Sequence, residues 1–255
     1  MAINVDTVYK TTLLILNKEQ RGYITPDEFN KTATQVQLDI FEQYFEDLNQ
    51  QLRVPQSDYD YANRQMSIDE KISPFKSDGN CIYAVDEFNL PITDLDGNTI
   101  INDGSEPTAV NQLVFYKLGT PIYQPTVGYP AEIQRLDRTE FYNTQKSDLT
   151  APSVYSPVYL YENNKLIVRP DSIIADVSTS FIRKPRNVVW GYDVGTLGQY
   201  IYSPGVKSTQ FELNSSEQVN VITRILLYSG IIIRDPQIVQ MAASEVQQTE
   251  NNKKS

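Results

Sequence analysis

The chain has 255 residues and a formal net charge of −10, and it contains no histidine and one cysteine, Cys81. Without histidine, imidazole is excluded as general base, proton shuttle or metal ligand, and so are the usual serine and cysteine triads. The acidic balance argues against a dedicated nucleic-acid binder. Hydrophobic residues make up 40%, which supports a folded core, and a single cysteine excludes an intrachain disulfide and favours a reducing site of synthesis.

Three further features concern targeting and partners. The N-terminal residues lack the basic and apolar regions of a signal peptide, so we expect none. The longest apolar stretch, 225–233, is shorter than the roughly 20 residues of a membrane span, so no membrane partner is expected. The 17 tyrosines outnumber 9 phenylalanines and 1 tryptophan, which is typical either of partner interfaces with a wet edge or of tyrosine-rich β-structure.

Two amphipathic helices are predicted at the N-terminus, over 5–16 and 26–53. Thr25 and Glu28 have the spacing of a capping box, and Pro26 suits the first helical position. The apolar positions of the second helix form one stripe: Phe29, Ala33, Val36, Ile40, Phe41, Tyr44, Phe45, Leu48 and Leu52. A helix of this length, about 40 Å, suits packing in a bundle or against neighbouring molecules.

The middle of the chain changes to the period of β-structure. Short β-branched or aromatic segments bounded by turn residues predict antiparallel strands at 113–116, 122–123, 158–161, 166–168 and 177–182. The sharpest hairpin signal lies at 159–168, where Asn163 and Asn164 suit the turn. The glycines between Gly191 and Gly198 do not have the spacing of a nucleotide-binding motif and are interpreted as a loop.

The helical period returns after residue 213. Ser215 or Ser216 is predicted to cap a helix that ends at Gly230, and a final helix from 235 gives way to a polar, mobile tail. The sequence therefore predicts an α+β fold, with N- and C-terminal helices forming a helical bundle region around a central antiparallel β-rich domain. Its predicted parts are a helical hairpin at 1–54, an irregular linker or insertion at 55–110, a β-rich domain at 111–213 and C-terminal helices with a tail at 214–255.

Two segments have partial metal-binding patterns. Residues 17–28 place glycine, isoleucine and glutamate as an EF-hand loop does, but Arg21 occupies a ligand position, so a helix-to-helix corner is favoured. A second acidic loop, at 94–103, could gather oxygen ligands, although Asp-Gly turns explain it more simply. Its candidate ligands are Asp94, Asp96, Asn98 and Asp103.

Other candidates for chemistry have simple structural explanations. The acid pairs Asp86-Glu87 and Asp137/Glu140 could serve a glycosidase, but surface solvation is favoured. The basic run of Arg183, Lys184 and Arg186, followed by Trp190, could contact phosphate or an acidic partner, or it could be a solvated strand exit with a packed tryptophan. Cys81 is interpreted as a small buried hydrophobe. No catalytic, cofactor or metal residue is assigned.

Several phrases of the sequence resemble virion structural proteins of short-tailed bacteriophages, including crAss-like phages. They are YITPDEFN at 23–30, FEQYF at 41–45, PVY at 157–159, NKLIVRP at 164–170, FIRKP at 181–185 with Trp190, and IIIRDP at 231–236. The resemblance covers both ends and much of 110–245, and residues 55–105 have no counterpart in it. The layout of helical ends around a β-rich centre looks like the head-to-tail connector, adaptor or ring proteins of this group.

The resemblance implies a non-enzymatic ring of about twelve subunits below the portal, in the neck of the virion, after synthesis in the host cytoplasm. Its partners would be copies of itself, the portal protein and downstream ring or tail proteins, and DNA would pass through the lumen without specific binding. An acidic lumen would repel the duplex backbone. The C-terminal segment 235–255 would reach the portal. The partner-contact candidates of the whole chain are Ile238, Val239, Met241, Arg183, Lys184, Arg186, Trp190, Tyr159 and Tyr161.

Two other classes of function stay open on the residues alone. Another virion component, or a soluble carbohydrate- or cation-binding β-module that uses the 94–103 loop, would also suit the β-rich centre and the tyrosines. An enzyme that uses only carboxylates is the third hypothesis. A cation-dependent shift in melting temperature would favour the binding module, and turnover abolished by the change of one acid would favour the enzyme.

Overall fold

The computed structural model describes residues 3–18, 23–51, 64–84, 86–94, 99–101, 112–113, 115–126, 128–163, 165–205 and 207–233, with a few positions of 240–248. The fold is α+β, with N-terminal helices packed against a C-terminal helix and a β-rich centre. The chain forms two compact units. Unit 1 comprises residues 1–74 and 185–255, and unit 2 comprises residues 75–184.

The described elements are five α-helices, fourteen strands and two short 3-10 turns. The helices are α1 Val5–Lys18, α2 Pro26–Gln51, α3 Arg64–Ile72, α4 Arg138–Thr144 and α5 Gln218–Ile233. The first seven strands are β1 Lys76–Asn80, β2 Ile82–Ala84, β3 Glu87–Asn89, β4 Pro91–Asp94, β5 Thr99–Ile101, β6 Gln112–Leu113 and β7 Phe115–Tyr123. The others are β8 Ala131–Glu132, β9 Gln134–Arg135, β10 Val158–Glu162, β11 Lys165–Arg169, β12 Val177–Arg183, β13 Tyr192–Val194 and β14 Tyr200–Tyr202.

Helix α2 is the central element of unit 1 and contacts both α3 and α5. Its predicted capping box is confirmed: the Thr25 N–H donates to Glu28 Oε2 at 2.9 Å, and the Glu28 N–H donates to Thr25 Oγ1 at 3.3 Å. The helix spans 26 residues, about 39 Å at about 1.5 Å per residue. The seven positions of its predicted stripe from Phe29 to Phe45 are buried, while the side chains of Leu48 and Leu52 lie outside the described residues.

The start and end of α5 differ from the prediction. Asn214, not Ser215 or Ser216, supplies the cap, because its Oδ1 accepts from the Ser216 N–H at 3.1 Å and begins a 3-10 turn that leads into the helix. The helix also continues through Gly230 to Ile233. Glycine costs a helix only about 1 kcal/mol, and this one is buried, so tertiary packing overrides the local stop signal.

The described strands of unit 2 form three sheets. Their strand orders are β1-β12-β7-β8, β2-β3-β11-β10-β9 and β5-β4-β6. All pairs are antiparallel except β9 with β10, which is parallel. The predicted hairpin is confirmed as β10 and β11, with Val158 opposite Arg169 and with Asn163 at φ +50° in the turn; Asn164 lies outside the described residues.

The core of unit 2 contains residues from strands that the sequence predicts and from strands that it does not. One cluster is formed by Cys81, Phe88, Leu90, Ile133, Tyr159, Leu166, Val168, Ile173 and Val177. Cys81 is confirmed as a buried small hydrophobe. The segment 55–110, predicted as an irregular linker or insertion, contains α3 and strands β1 to β5, and the two units have boundaries that differ from the four predicted parts.

These early strands lack the alternation on which strand prediction depends. Strand β1 has the sequence KSDGN. All five of its residues pair with β12, from Lys76 opposite Ile182 to Asn80 opposite Ser178. A long-range partner therefore supplies what the local sequence does not. Among the described residues, none of the helices combines the length and the apolar character that crossing a bilayer requires.

Candidate functional site

Trp190, which the sequence marks as a partner-contact candidate, is buried in an aromatic cluster of unit 1. Its indole N–H donates to Asp6 Oδ1 at 3.1 Å, and its ring centroid lies 4.3 Å from that of Tyr9. The rings of Tyr192 and Tyr202 stack on it, each at a centroid distance of 5.8 Å. Trp190 is thus an internal support for the segment that follows it rather than an exposed contact.

An extended strap, residues 185–191, carries Trp190 along α2, and side chains of α2 bind the backbone of the strap. Among these bonds, three join Asn30 Oδ1 to the Trp190 N–H (2.7 Å), Thr34 Oγ1 to the Val188 N–H (3.1 Å) and Gln37 Nε2 to the Arg186 carbonyl (2.6 Å). Seven helical residues rise about 10.5 Å and four extended residues about 13 Å, so side chains at helical spacing reach alternate residues of the strap. Side chains of α2 therefore bind the backbone of the strap, as the backbone of a neighbouring strand would in a sheet.

Strands β13 and β14 follow the strap and form a hairpin. Its register pairs Tyr192 with Tyr202, Asp193 with Ile201 and Val194 with Tyr200. The first pair stacks on Trp190, and the last pair extends beyond it on the same face, with Val194 64% exposed. Leu197 in the turn is 90% exposed, and Ile201 is exposed on the opposite face. The hairpin thus presents apolar side chains on both faces and at its tip.

Backbone contacts define both ends of the hairpin. In the turn, the Gly195 N–H donates to the Gln199 carbonyl at 2.8 Å, and Gly198 has φ +80°, a conformation that favours glycine. At the root, a Cβ on Gly191 would lie 2.3 Å from the Lys207 carbonyl oxygen, so a larger residue would displace the backbone. Leu197 is therefore held at a defined place at the tip.

The single charge of the hairpin is paired with a charge outside the hairpin. Asp193 is the only charged residue of 192–202, and it forms an ion pair with Lys207. The hydrogen bond with Lys207 has the largest effect in lowering the pKa of Asp193, and the hydrogen bond with Ser203 lowers it further. Since the chain carries a net charge of −10, repulsion between two such molecules is least at an apolar surface whose single charge is paired.

A second exposed apolar surface, besides the hairpin of unit 1, lies in unit 2 on the loop 145–157 after α4. Leu149 is 95% exposed and Tyr155 is 92% exposed, and the ring of Tyr142 on α4 is also exposed. The loop has bonds of its own, such as the one from Thr150 Oγ1 to the Thr144 carbonyl at 3.1 Å. It is the second candidate contact surface.

The candidate tyrosines of β10 have different surroundings. Tyr159 is buried in the core cluster of unit 2 and is not accessible in this structure. Tyr161 is half-buried, and the Arg135 guanidinium lies 5.7 Å from its ring centroid. Burial raises the pKa of both tyrosines, against the opposing effect of Arg135.

The structure divides the basic run between the two units. Arg183 and Lys184 end unit 2, and Arg186 belongs to unit 1. Arg183 is half-buried against the Phe75 ring, at 5.8 Å from its centroid, whereas Lys184 is exposed. Arg186 Nε lies 3.5 Å from Glu212 Oε1. The run therefore does not form one continuous basic patch of free side chains.

The C-terminal candidates are only partly described. Met241 is 74% exposed, and Ile238 and Val239 lie outside the described residues. The acidic loop is likewise outside them, since of its candidate ligands only the backbone of Asp94, at the end of β4, is described. Residues 19–22 of the EF-hand-like segment are also outside. Within the described part of the chain, no group of three or more acidic or cysteine side chains could hold a metal ion.

The predicted acid pairs lie beside β3 and at the start of α4. Asp86 accepts from the Tyr83 hydroxyl at 3.1 Å, and Glu87 forms an ion pair with Lys165. Asp137 and Glu140 are exposed at the start of α4. Asp86 and Glu87 thus each have a structural partner.

The hairpin β13–β14 was not predicted, because the glycines between Gly191 and Gly198 were interpreted as a loop. The signal was present, because Tyr192–Val194 and Tyr200–Tyr202 are aromatic and β-branched segments separated by five residues that include two glycines. Comparison with models of known protein families and with curated proteins finds no significant match to the chain.

Proposed function

We propose that this chain is a non-enzymatic structural subunit of a virion, in the head-to-tail connector of a short-tailed bacteriophage. Copies of the chain form a ring of about twelve below the portal, join the capsid to the tail proteins and conduct DNA. The observation that supports this most directly is the apolar hairpin β13–β14, held at its root by Trp190. The phrases shared with virion proteins of this group give the class of assembly.

The hairpin has the properties of a contact between subunits. An exposed leucine or valine gains about 1.5–3 kcal/mol when it is fully buried, so a few such side chains supply much of the energy of a micromolar contact. The short strands also leave backbone groups at the edges of a two-stranded sheet, which an extended segment of a neighbour can pair with. We therefore assign the subunit-to-subunit contact to the hairpin.

The remaining surfaces suit other roles in the same assembly. The 145–157 loop of unit 2 offers Leu149 and Tyr155 to a following ring or tail protein. Met241 offers an exposed apolar anchor to the portal. The exposed side of α2 carries Glu42 and Glu46, which would repel the DNA backbone if they faced the lumen.

Native mass spectrometry of the purified chain at about 10 μM tests the proposal, since contacts with a Kd near 1 μM are filled there. We expect a closed ring near twelve copies. Leu197→Ser should convert the ring to monomers, because it removes the apolar tip of the hairpin. Val219→Ser is the matched control, because Val219 is an exposed aliphatic residue of α5 outside the hairpin.

Two results would count against the proposal in different ways. A monomeric wild type at this concentration contradicts a ring that forms by itself. A ring that persists unchanged in Leu197→Ser but dissociates in Val219→Ser contradicts the role of the hairpin and moves the contact to the helices. Circular dichroism of each variant verifies that the subunit is folded.

A further inference from the structure

The chain passes from unit 1 to unit 2 and back at two places that lie side by side on unit 2. It enters at 74/75 and leaves at 184/185. Strand β1 begins at Lys76, one residue after the entry, and β12 ends at Arg183, one residue before the exit. The two strands pair with Lys76 opposite Ile182. The two ends of unit 2 are therefore neighbours in one sheet.

Side chains at the ends of unit 2 tie these two strands together. Phe75 is buried, and the Arg183 guanidinium carbon lies 5.8 Å from its ring centroid. The residues on the unit 1 side of the crossings are Pro74 and Pro185, which restrict the backbone at both connections. The first and last strands of unit 2 are thus joined by a contact between side chains of unit 2 itself.

Each unit has a core of its own. In unit 2 the core cluster is made of strand residues such as Leu166 and Val168. In unit 1 the buried residues include Val221 and Ile225 of α5 and the stripe of α2. With about 110 residues in unit 2 and about 145 in unit 1, both have the size of ordinary domains.

We infer that residues 75–184 form an inserted domain that unfolds independently of unit 1. A domain with its own core and with adjacent ends can be placed in a host domain without interrupting the packing of the host. Unfolding of one such domain leaves the other intact when each core supplies its own stability. The inference does not depend on the proposed function.

The full chain contains one natural probe for each unit. Trp190 is the single tryptophan and is buried in unit 1, so its fluorescence reports the unfolding of unit 1. Cys81 is the single cysteine and is buried in the core of unit 2, and burial raises the pKa of its thiol to about 12. Its reaction with a thiol reagent during a short pulse therefore reports the opening of unit 2.

The same substitution can be made in each core. Val168→Ala lies in the core cluster of unit 2, and Val221→Ala lies in unit 1. In urea titrations of the full chain, we expect Val168→Ala to lower the midpoint of the Cys81 transition by about 0.5–1 M and to leave the Trp190 midpoint unchanged. Val221→Ala should shift the Trp190 midpoint and leave that of Cys81 unchanged.

The outcome separates one cooperative unit from two. If either variant shifts both midpoints, the two units unfold together and the inference is wrong, even where the wild-type transitions differ. Separate shifts support it, even where the wild-type midpoints coincide by equal stability. Leu166→Ala and Ile225→Ala, which remove larger buried side chains, should enlarge the same separate shifts.

Discussion

Gln37 shows how one polar side chain holds a segment that is remote in sequence. It is buried on α2, its Nε2 donates to the Arg186 carbonyl at 2.6 Å, and its Oε1 accepts from the Glu212 N–H at 2.9 Å. Both partners are backbone groups of segments that have no other secondary structure there. A buried backbone group that loses its partner costs about 1–3 kcal/mol. The side chain of Gln37 thus has a structural role, because it binds the backbone of the strap and of the segment at Glu212.

Replacement of this amide tests the strap directly. We expect Gln37→Ala to lower the free energy of unfolding of unit 1 by about 2 kcal/mol or more, because two backbone groups lose their partner. Urea denaturation followed by Trp190 fluorescence measures the change. Gln35→Ala is the control, since Gln35 is exposed on the same helix and should cost under about 0.5 kcal/mol. Equal losses in the two variants would contradict the structural role of Gln37.

At the scale of elements, the start of α2 links helix formation to pH. The Thr25 N–H and the Thr25 hydroxyl both donate to the Glu28 carboxylate. These two bonds, of which the one from the N–H has the larger effect, lower the pKa of Glu28 below its ordinary value of 4.5. A carboxyl group whose folded pKa is lowered stabilises the fold above its unfolded pKa. That contribution is lost as the pH falls through the folded pKa. The cap is therefore complete at neutral pH and weakened in acid.

Glu28→Gln separates the charge of the cap from its hydrogen bonds, since glutamine can also complete a capping box. We expect the variant to be less stable than wild type at pH 7, and we expect the difference to shrink as the pH falls below about 4.5 and further toward 3. Urea titrations at several pH values give this difference. A difference that stays constant or grows in acid would show that the carboxylate does not stabilise the start of α2.

At the scale of the whole molecule, the proposed ring requires acidic copies of the chain to overcome their mutual repulsion. Each copy carries a net charge of −10, and the one charge of the hairpin proposed for the contact, on Asp193, is paired with Lys207. An apolar contact between like-charged subunits is strengthened when salt screens their repulsion. A contact made by surface ion pairs is weakened by the same salt. The dependence of assembly on salt therefore distinguishes the two kinds of interface.

We expect the fraction of ring to rise as the ionic strength increases from about 0.01 M to about 0.15 M, over which the screening length falls from about 30 Å to about 8 Å. Sedimentation velocity at fixed protein concentration measures this fraction. The Leu197→Ser variant should stay monomeric at both salt concentrations. Dissociation of the wild-type ring by added salt would assign the contact to ion pairs instead of the hairpin.

The sequence by itself determined the features whose causes are local. The capping box at Thr25, the buried stripe of α2 and the hairpin of β10 and β11 follow from spacings of a few residues, and the structure confirms them. Helical and strand periods and turn residues act over one or two turns of chain, so a single sequence contains them. The α+β class follows from the order of these elements.

Only the tertiary structure decided the surroundings of the candidate contact residues. Trp190 bonds Asn30 across 160 residues and Asp6 across 184 residues, and β1 is a strand because β12 pairs with it. Those partners are distant in the chain, and no local period encodes the distance between them. Burial of a side chain depends on what the rest of the fold places against it, so the exposed hairpin and the strap that supports it emerge only when the chain is folded.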